Sequence, residues 1–401
     1  MSITFARKLR YFRRVVSSLL ANYMFQVDPE EVWDVIVVGA GPAGCGAAYD
    51  LVKKGRRVLL LDKCDFPRSK ACAGGLTMKT VKALRYSVEP VTRQVVRRIV
   101  LENKGGDATL VKTRGPICVM TVRAEFDAFC LEKTREAGAI FRRIQAVKGI
   151  ETNEDSVTLR TEGGSWQAKF LIGADGVHSQ VRKLAGIGGA VAGGFALEGQ
   201  VPMPDGEVDL LFDFGAIRNG YGWIFPKKDH LNVGIGICGD AAGETLNRER
   251  LVNYVRQRLG TEKMDHIVGQ YLGFGGWDAP CAKGRVLLAG DAAGLIDPLT
   301  AEGIYSAVAS GQAAARSIEE GREGRAVAAE AYHLGLEQLR ATLAFSARAA
   351  RAFYANPDRG FQALTFPGLR TALLKIYAHG LSSGAGILRI LSRSASVVSP
   401  G

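Results

Sequence analysis

An α/β fold of the Rossmann type, with an inserted antiparallel sheet and a C-terminal helical region, is predicted by three observations. The run VWDVIVVG at 32–39 is largely apolar and β-branched, leads into GAGPAG and an Ala-rich helical stretch, and is followed by a second buried strand, VLLLD at 58–62. That succession is a βαβ opening, which builds a parallel sheet. From 185 to 280 the sequence is Gly-rich, aromatic and alternating, the texture of an antiparallel sheet. Beyond about residue 326 the pattern is mostly helical, broken by Pro357, Pro367 and Gly380.

The 401 residues are 47% hydrophobic and 23% charged, which excludes disordered, collagen-like and disulfide-scaffold classes and suits about two domains. Residues 1–30 read as a basic amphipathic helix. Phe5, Leu9, Phe12, Val16, Leu19, Leu20 and Tyr23 recur on one face, and Arg7, Arg10 and Arg14 lie opposite, with Lys8 and Arg13 at the borders. Such a helix suits a membrane interface, a partner, or docking on the protein body. The segments 31–95, 117–183 and 280–325 are expected to form a discontinuous dinucleotide-binding domain. The hairpin at 96–116 and the stretch 184–279 form the second domain, and 326–401 the helical region. A helix is expected from Arg123 to about Ala137, and a returning buried strand at Arg285–Ala289.

Seven cysteines, odd in number and without a Cys-X-X-Cys pair, argue against a disulfide framework, a zinc ribbon or an iron–sulfur cluster and fit a cytosolic compartment. The five histidines are too scattered for a metal site. No run approaches the roughly 18 apolar residues that span a bilayer. The apolar stretch from Val15 to Phe25 is interrupted by Ser17, Ser18 and Asn22 and lacks a cleavage pattern, so a signal peptide is not expected.

Gly39, Gly41 and Gly44 form Gly-X-Gly-X-X-Gly between strand and helix, where glycines allow a tight turn and close approach of a pyrophosphate to the helix N-terminus. Pro42 and Ala43 suit its first turn. Asp62 ends the second strand, where its carboxylate can accept from ribose hydroxyls. Only one such glycine motif occurs, so a separate NAD(P)H domain is not expected.

Two further segments, FLIGADGVHSQVRK from Phe170 and RVLLAGDAAGLIDPLTAEGI from Arg285, resemble the later fingerprints of glutathione-reductase-type FAD proteins, including the aromatic hydroxylases. With FPRSKACAGGL from Phe66 and NGYGWIFPKKDHLNVGIG from Asn219, they resemble the geranylgeranyl reductase family, FAD enzymes that saturate double bonds of polyprenyl chains. The resemblance implies cofactor contacts from Lys63, Arg68, Cys72, Ala73, Gly74, Asp175, Gly290, Asp291, Pro298, Ala301, Glu302, Gly303 and Ile304, with Arg123 near the pyrophosphate. It also implies that the helix after Pro298 aims its N-terminus at the flavin. Two departures stand out: Cys72-Ala73-Gly74-Gly75 replaces the family's Cys-Gly-Gly, and Ala301 replaces the first glycine of Gly-Glu-Gly-Ile. Gly294 stands where aromatic hydroxylases carry His.

Tyr221, Trp223 and Phe225 alternate along one predicted strand, and Phe212 and Phe214 along its neighbour, so each set shares a face. The rows form either the floor of an apolar channel for a polyisoprenoid or plain sheet core. Cys72 and Tyr221 are the candidate proton donors; an inert buried thiol and a packing tyrosine are the alternatives. The resemblance leaves the electron donor as NAD(P)H or reduced ferredoxin, with a possible donor protein. The competing readings are an FAD monooxygenase and a flavin-only dehydrogenase passing electrons to membrane quinone.

The formal charge is +12, of which residues 1–27 and 361–401 carry nine with no acid. Because the excess is terminal, a membrane surface is the expected anionic partner and nucleic acid is not, giving a cytoplasmic, peripherally membrane-associated protein.

Overall fold

The computed structural model describes residues 32–104, 106–188, 191–238, 244–322 and 327–380. The amphipathic segment at 1–30 and the stretch beyond 380 lie outside these residues.

The chain opens with β1 (Val32–Val38), α1 (Pro42–Val52) and β2 (Val58–Asp62). The proline ring at Pro42 presets φ for the first turn of α1, where no N–H is needed. Then follow β3 (Gly75–Thr77), α2 (Met78–Ala83), β4 (Gln94–Val96), the hairpin β5 (Arg98–Asn103) and β6 (Asp107–Lys112), and β7 (Cys118–Met120). The chain re-enters the first sheet through α3 (Arg123–Glu136), β8 (Ile140–Arg143), β9 (Val147–Thr152), β10 (Val157–Thr161), β11 (Gly164–Gly173) and α4 (Gln180–Ala185). The second excursion holds β12 (Ala192–Pro202), β13 (Leu210–Asp213), β14 (Gly220–Pro226), β15 (His230–Ile237), α5 (Arg248–Leu259) and β16 (Asp265–Phe274). It closes with β17 (Ala282–Lys283), β18 (Val286–Leu288), α6 (Ile304–Arg322), α7 (Ala328–Gly335), α8 (Glu337–Ala355), α9 (Pro357–Thr365) and α10 (Pro367–His379).

Among the described residues, β18, β11, β1, β2 and β8 form a parallel core in that order. Val38 is level with both Gly173 and Leu61, so the carboxyl ends of β1, β2 and β11 meet at one edge. In an open parallel sheet that edge is the ligand-binding crevice. Behind it, α1 packs against α6, and the Tyr332 hydroxyl of α7 donates to the Leu288 carbonyl at 2.6 Å.

The inserted sheet runs β16-β12-β15-β14-β13-β5-β6. It is not antiparallel throughout: β13 pairs in parallel with β5, because the 98–112 hairpin enters from the first excursion and the next strands from the second. A small sheet, β3-β7-β4, joins the two. Its strands have three residues each, too few to display a period-two pattern in sequence.

The C-terminal helices turn their inner faces to the inserted sheet. Tyr354, Leu374, Tyr377 and Ala378 pack in one apolar cluster with Phe212, Tyr221, Trp223 and Phe225.

Candidate active site

At the end of β1 the chain turns at Gly39, whose φ is +106° and where a Cβ would lie 2.2 Å from the Ala174 carbonyl oxygen. Side chains are excluded there by the next crossover. At Gly41 the space is open: a Cβ would meet only an Arg68 nitrogen at 3.6 Å. Gly41 also N-caps α1 without a side-chain hydrogen bond, and the first turn holds no acid. Asp62 braces this loop, accepting from the Ala40 N–H at 2.7 Å and the Cys64 N–H at 2.9 Å. Pro42 is half-buried, Ala43 and Gly44 are buried behind the loop, and Lys63 is exposed beside it.

Arg123 opens α3 and forms a two-pronged pair with Asp127 one turn later, both contacts at 2.9 Å. Arg68 approaches the same carboxylate at 3.2 Å. Burial works against the Arg123 charge, but Asp127 and the Cys72 thiol outweigh it and hold the guanidinium above its ordinary range. Two cations around one carboxylate leave the cluster net positive. The Arg68 Nε is buried with no partner among the described residues. An open glycine, an uncapped helix start, surplus positive charge and an orphaned donor fit a pyrophosphate.

Asp175, predicted as a cofactor contact, serves the local backbone instead, and so does Asp297, which the sequence did not single out. Asp175 accepts from the Ser179 hydroxyl at 2.5 Å and from the Gln180 and Val181 N–H groups, capping α4. Asp297 accepts from the Leu299 and Thr300 N–H groups, both at 2.9 Å, and shapes the loop holding the buried Pro298. That loop runs on to Gly303, and α6 begins at Ile304. Glu302 caps the helix through the Tyr305 N–H at 2.7 Å and pairs with Lys79 at 3.3 Å. Asp291, after Gly290, would lie 3.6 Å from a Cβ on Gly303, so both face the start of α6. Gly294 has φ +70°, and a Cβ there would meet the Gly276 nitrogen at 3.1 Å, which is why no histidine fits.

Opposite these loops stand the aromatic rows. Phe212 contacts Phe225, Tyr221 and Tyr377, with centroids 5.1, 5.6 and 6.2 Å away, and Phe214 meets Phe353 at 5.0 Å. Phe225 lies 3.4 Å from where a Cβ on Gly75 would sit, so the row abuts the Cys72–Gly75 loop. Ala73 and Ala301, the two family departures, border the same apolar cluster. Tyr221 donates its hydroxyl to the Thr300 carbonyl at 2.5 Å, and burial pushes its pKa far up. Its proton is therefore committed to bracing the loop.

Residues 32–202 match the family model for the FAD binding domain, and 208–274 that for the geranylgeranyl reductase catalytic domain. A digeranylgeranylglycerophospholipid reductase of Methanococcoides burtonii is 30% identical over 313 residues, 72% of this chain and 76% of that one. The chain belongs to the geranylgeranyl reductase family. A menaquinone reductase of Mycobacterium tuberculosis is 29% identical over 318 residues, 71% of this chain and 76% of that one. A geranylgeranyl bacteriochlorophyll reductase-like protein of Thermoplasma acidophilum superposes with a TM-score of 0.75 over 90% of this chain and 96% of that one; at 22% identity it shows the fold.

The chain is thus an FAD-dependent oxidoreductase. Several polar groups around the candidate flavin loops were not singled out from sequence. Asp127 unites the two arginines. Glu198 on β12 accepts from the Cys72 N–H at 2.8 Å, and Lys227, just after β14, donates to the Ala73 and Thr121 carbonyls. Lys70 lies within electrostatic reach of Asp291, and burial lowers its pKa. Charged residues inside a strand or directly after FP in β14 were the available signal.

Proposed function

We propose that this enzyme saturates carbon–carbon double bonds of a polyprenyl chain carried by a lipid or quinone, at a membrane surface. The observation that carries the reading is an aromatic floor, Phe212, Tyr221 and Phe225, facing the Cys72 and Ala301 loops of the dinucleotide-binding half. Such a floor offers a polyisoprenoid contact without hydrogen bonds and keeps water from the alkene. When bound, reduced FAD would supply the hydride for one alkene carbon, its electrons drawn from NAD(P)H or reduced ferredoxin. Cys72 gives the proton to the other carbon, and the thiolate left behind lies near the Arg123 and Lys227 cations until water reprotonates it. Arg68 and Arg123 would hold the pyrophosphate, and Asp291 and the start of α6 would hold the flavin end. Among the described residues no helix is long and apolar enough to cross a membrane. The basic segment 1–30 supplies the membrane contact.

The test is anaerobic single turnover of the dithionite-reduced protein with geranylgeranyl lipids and prenylquinones. Product mass rises by about 2 Da per reduced bond. No mass gain with any prenyl substrate overturns the proposal.

A further inference from the structure

Two buried ionisable residues of the inserted sheet, Lys227 and Glu198, serve a single three-residue loop. Their relative exposures are 2% and 6%. Among the described residues no ion pair joins them. Instead each binds a backbone group of the Cys72 loop. A Glu198 oxygen accepts from the Cys72 N–H at 2.8 Å, while the Lys227 ammonium donates to the Ala73 carbonyl and, at 2.9 Å, to Thr121. Asn232 hydrogen-bonds the Glu198 carboxylate and is itself oriented by the Trp223 Nε1–H, 2.7 Å from its oxygen. On the loop's far side the Thr121 N–H donates to the Gly74 carbonyl at 2.8 Å. The Gly74 N–H then reaches back to the Cys72 sulfur at 3.4 Å.

Buried charges that form no direct ion pair are costly even when, as here, they lie within electrostatic reach of each other, and apolar residues of the same shape would often be as stable. Their use here on one half-buried cysteine points to function. We infer that Lys227 and Glu198 are positioning residues that fix the Cys72 backbone and thiol against the aromatic floor and set the reactivity of that thiol. The inference deepens the proposed function, since it concerns the thiol assigned there as proton donor.

The electrostatics agree. Burial brings the Lys227 pKa down to about 8, with Cys72, Glu198 and Cys118 pulling it back up. Burial raises that of Glu198, against the Cys72 N–H, Asn232, Lys227 and Arg123. Around the thiol itself stand Arg123, Lys70, Tyr221 and Tyr377. Beside them Lys227 loses its proton in the mildly alkaline range, and burial lowers the Lys70 pKa from its ordinary value as well.

The test is the rate of iodoacetamide labelling of Cys72 in the full, FAD-loaded chain, followed by peptide mass spectrometry on both sides of pH 8. Half-buried Cys64 is the internal reference. Lys227→Met slows Cys72 labelling at neutral pH by about tenfold and removes the inflection near the lysine pKa, because a nearby cation favours the reactive thiolate. Glu198→Ala frees the Cys72 N–H and speeds labelling by about threefold or more, whereas Glu198→Gln, which still accepts that bond, stays within about twofold. Cys64 is unchanged throughout. Wild-type rates and pH profile in Lys227→Met overturn the inference, as do equal rates in Glu198→Ala and Glu198→Gln; the second comparison decides if the lysine variant does not fold. Labelling needs no substrate. If Cys72→Ala still turns over while labelling responds as stated, the proton-donor assignment fails and the positioning pair stands.

Discussion

Ala301 has φ +53°, a left-handed conformation that glycine adopts freely and alanine does not, at the position where the family carries glycine. Its methyl group borders the aromatic cluster. Strain kept at a site loop suggests that the methyl narrows the space beside the substrate. Ala301→Gly is expected to raise stability by about 1 kcal/mol, read as a higher Tm. It should also relax discrimination between prenyl substrates, read as the ratio of their kcat/KM values. Lys227 gives a second expectation. Its pKa is about 8 in the folded chain, against an ordinary 10.5, so between those values the unfolded chain binds more protons and the lysine's contribution becomes more favourable as pH rises. The stability of wild type relative to Lys227→Met therefore increases from pH 8 to 10.5, measured by denaturant melts. At this scale the sequence was uneven. Gly41 and Asp62 were readable because a phosphate turn demands a glycine and a terminal acid at fixed spacing. Asp127, Glu198 and Lys227 reach the segment from Arg68 to Gly74 from three distant elements, and no local pattern announces that.

At the scale of elements, period-two alternation located the aromatic rows, since Tyr221, Trp223 and Phe225 on β14 and Phe212 on β13 share a face. What alternation does not show is the neighbour that makes room. The Trp223 indole lies across β15, and a Cβ on Gly234 would come within 2.1 Å of the ring. Gly234→Ala should therefore tilt the indole, lengthen its bond to Asn232 and cost about 1–3 kcal/mol through overpacking. Tryptophan emission and Tm report it; an unchanged spectrum and Tm would mean that the ring does not depend on that glycine. The inward faces of α8 and α10 were legible as helix but not as site. Phe353, Tyr354 and Tyr377 sit in an Ala-rich, Arg-bearing pattern that also fits a surface helix, and only tertiary contact with Phe212 and Phe214 assigns them to the aromatic cluster.

For the molecule as a whole, the parallel sheet places the dinucleotide loops on one side of the aromatic floor, and the C-terminal helices close the other. The proposed prenyl substrate is water-insoluble, and on the proposed reading it enters from a bilayer, so the charge distribution matters. The ends carry nine of the twelve excess charges, which leaves 28–360 at +3. The segment 1–30 holds Arg7, Lys8, Arg10, Arg13 and Arg14 beside an apolar stripe. Near anionic lipid each cation contributes about 1 kcal/mol, so the five together shift partitioning by nearly four orders of magnitude at low salt, at about 1.4 kcal/mol per decade. Deletion of 1–30 is thus expected to abolish sedimentation with anionic vesicles, while the intact chain binds them and is released by high salt. FAD content and turnover of a short, detergent-dispersed prenyl substrate should survive the deletion, because the described cofactor and aromatic residues all lie after it. Undiminished vesicle binding by the deleted chain would move the membrane contact to the C-terminal helices, whose surface exposes Phe345, Phe366, Arg348 and Arg351.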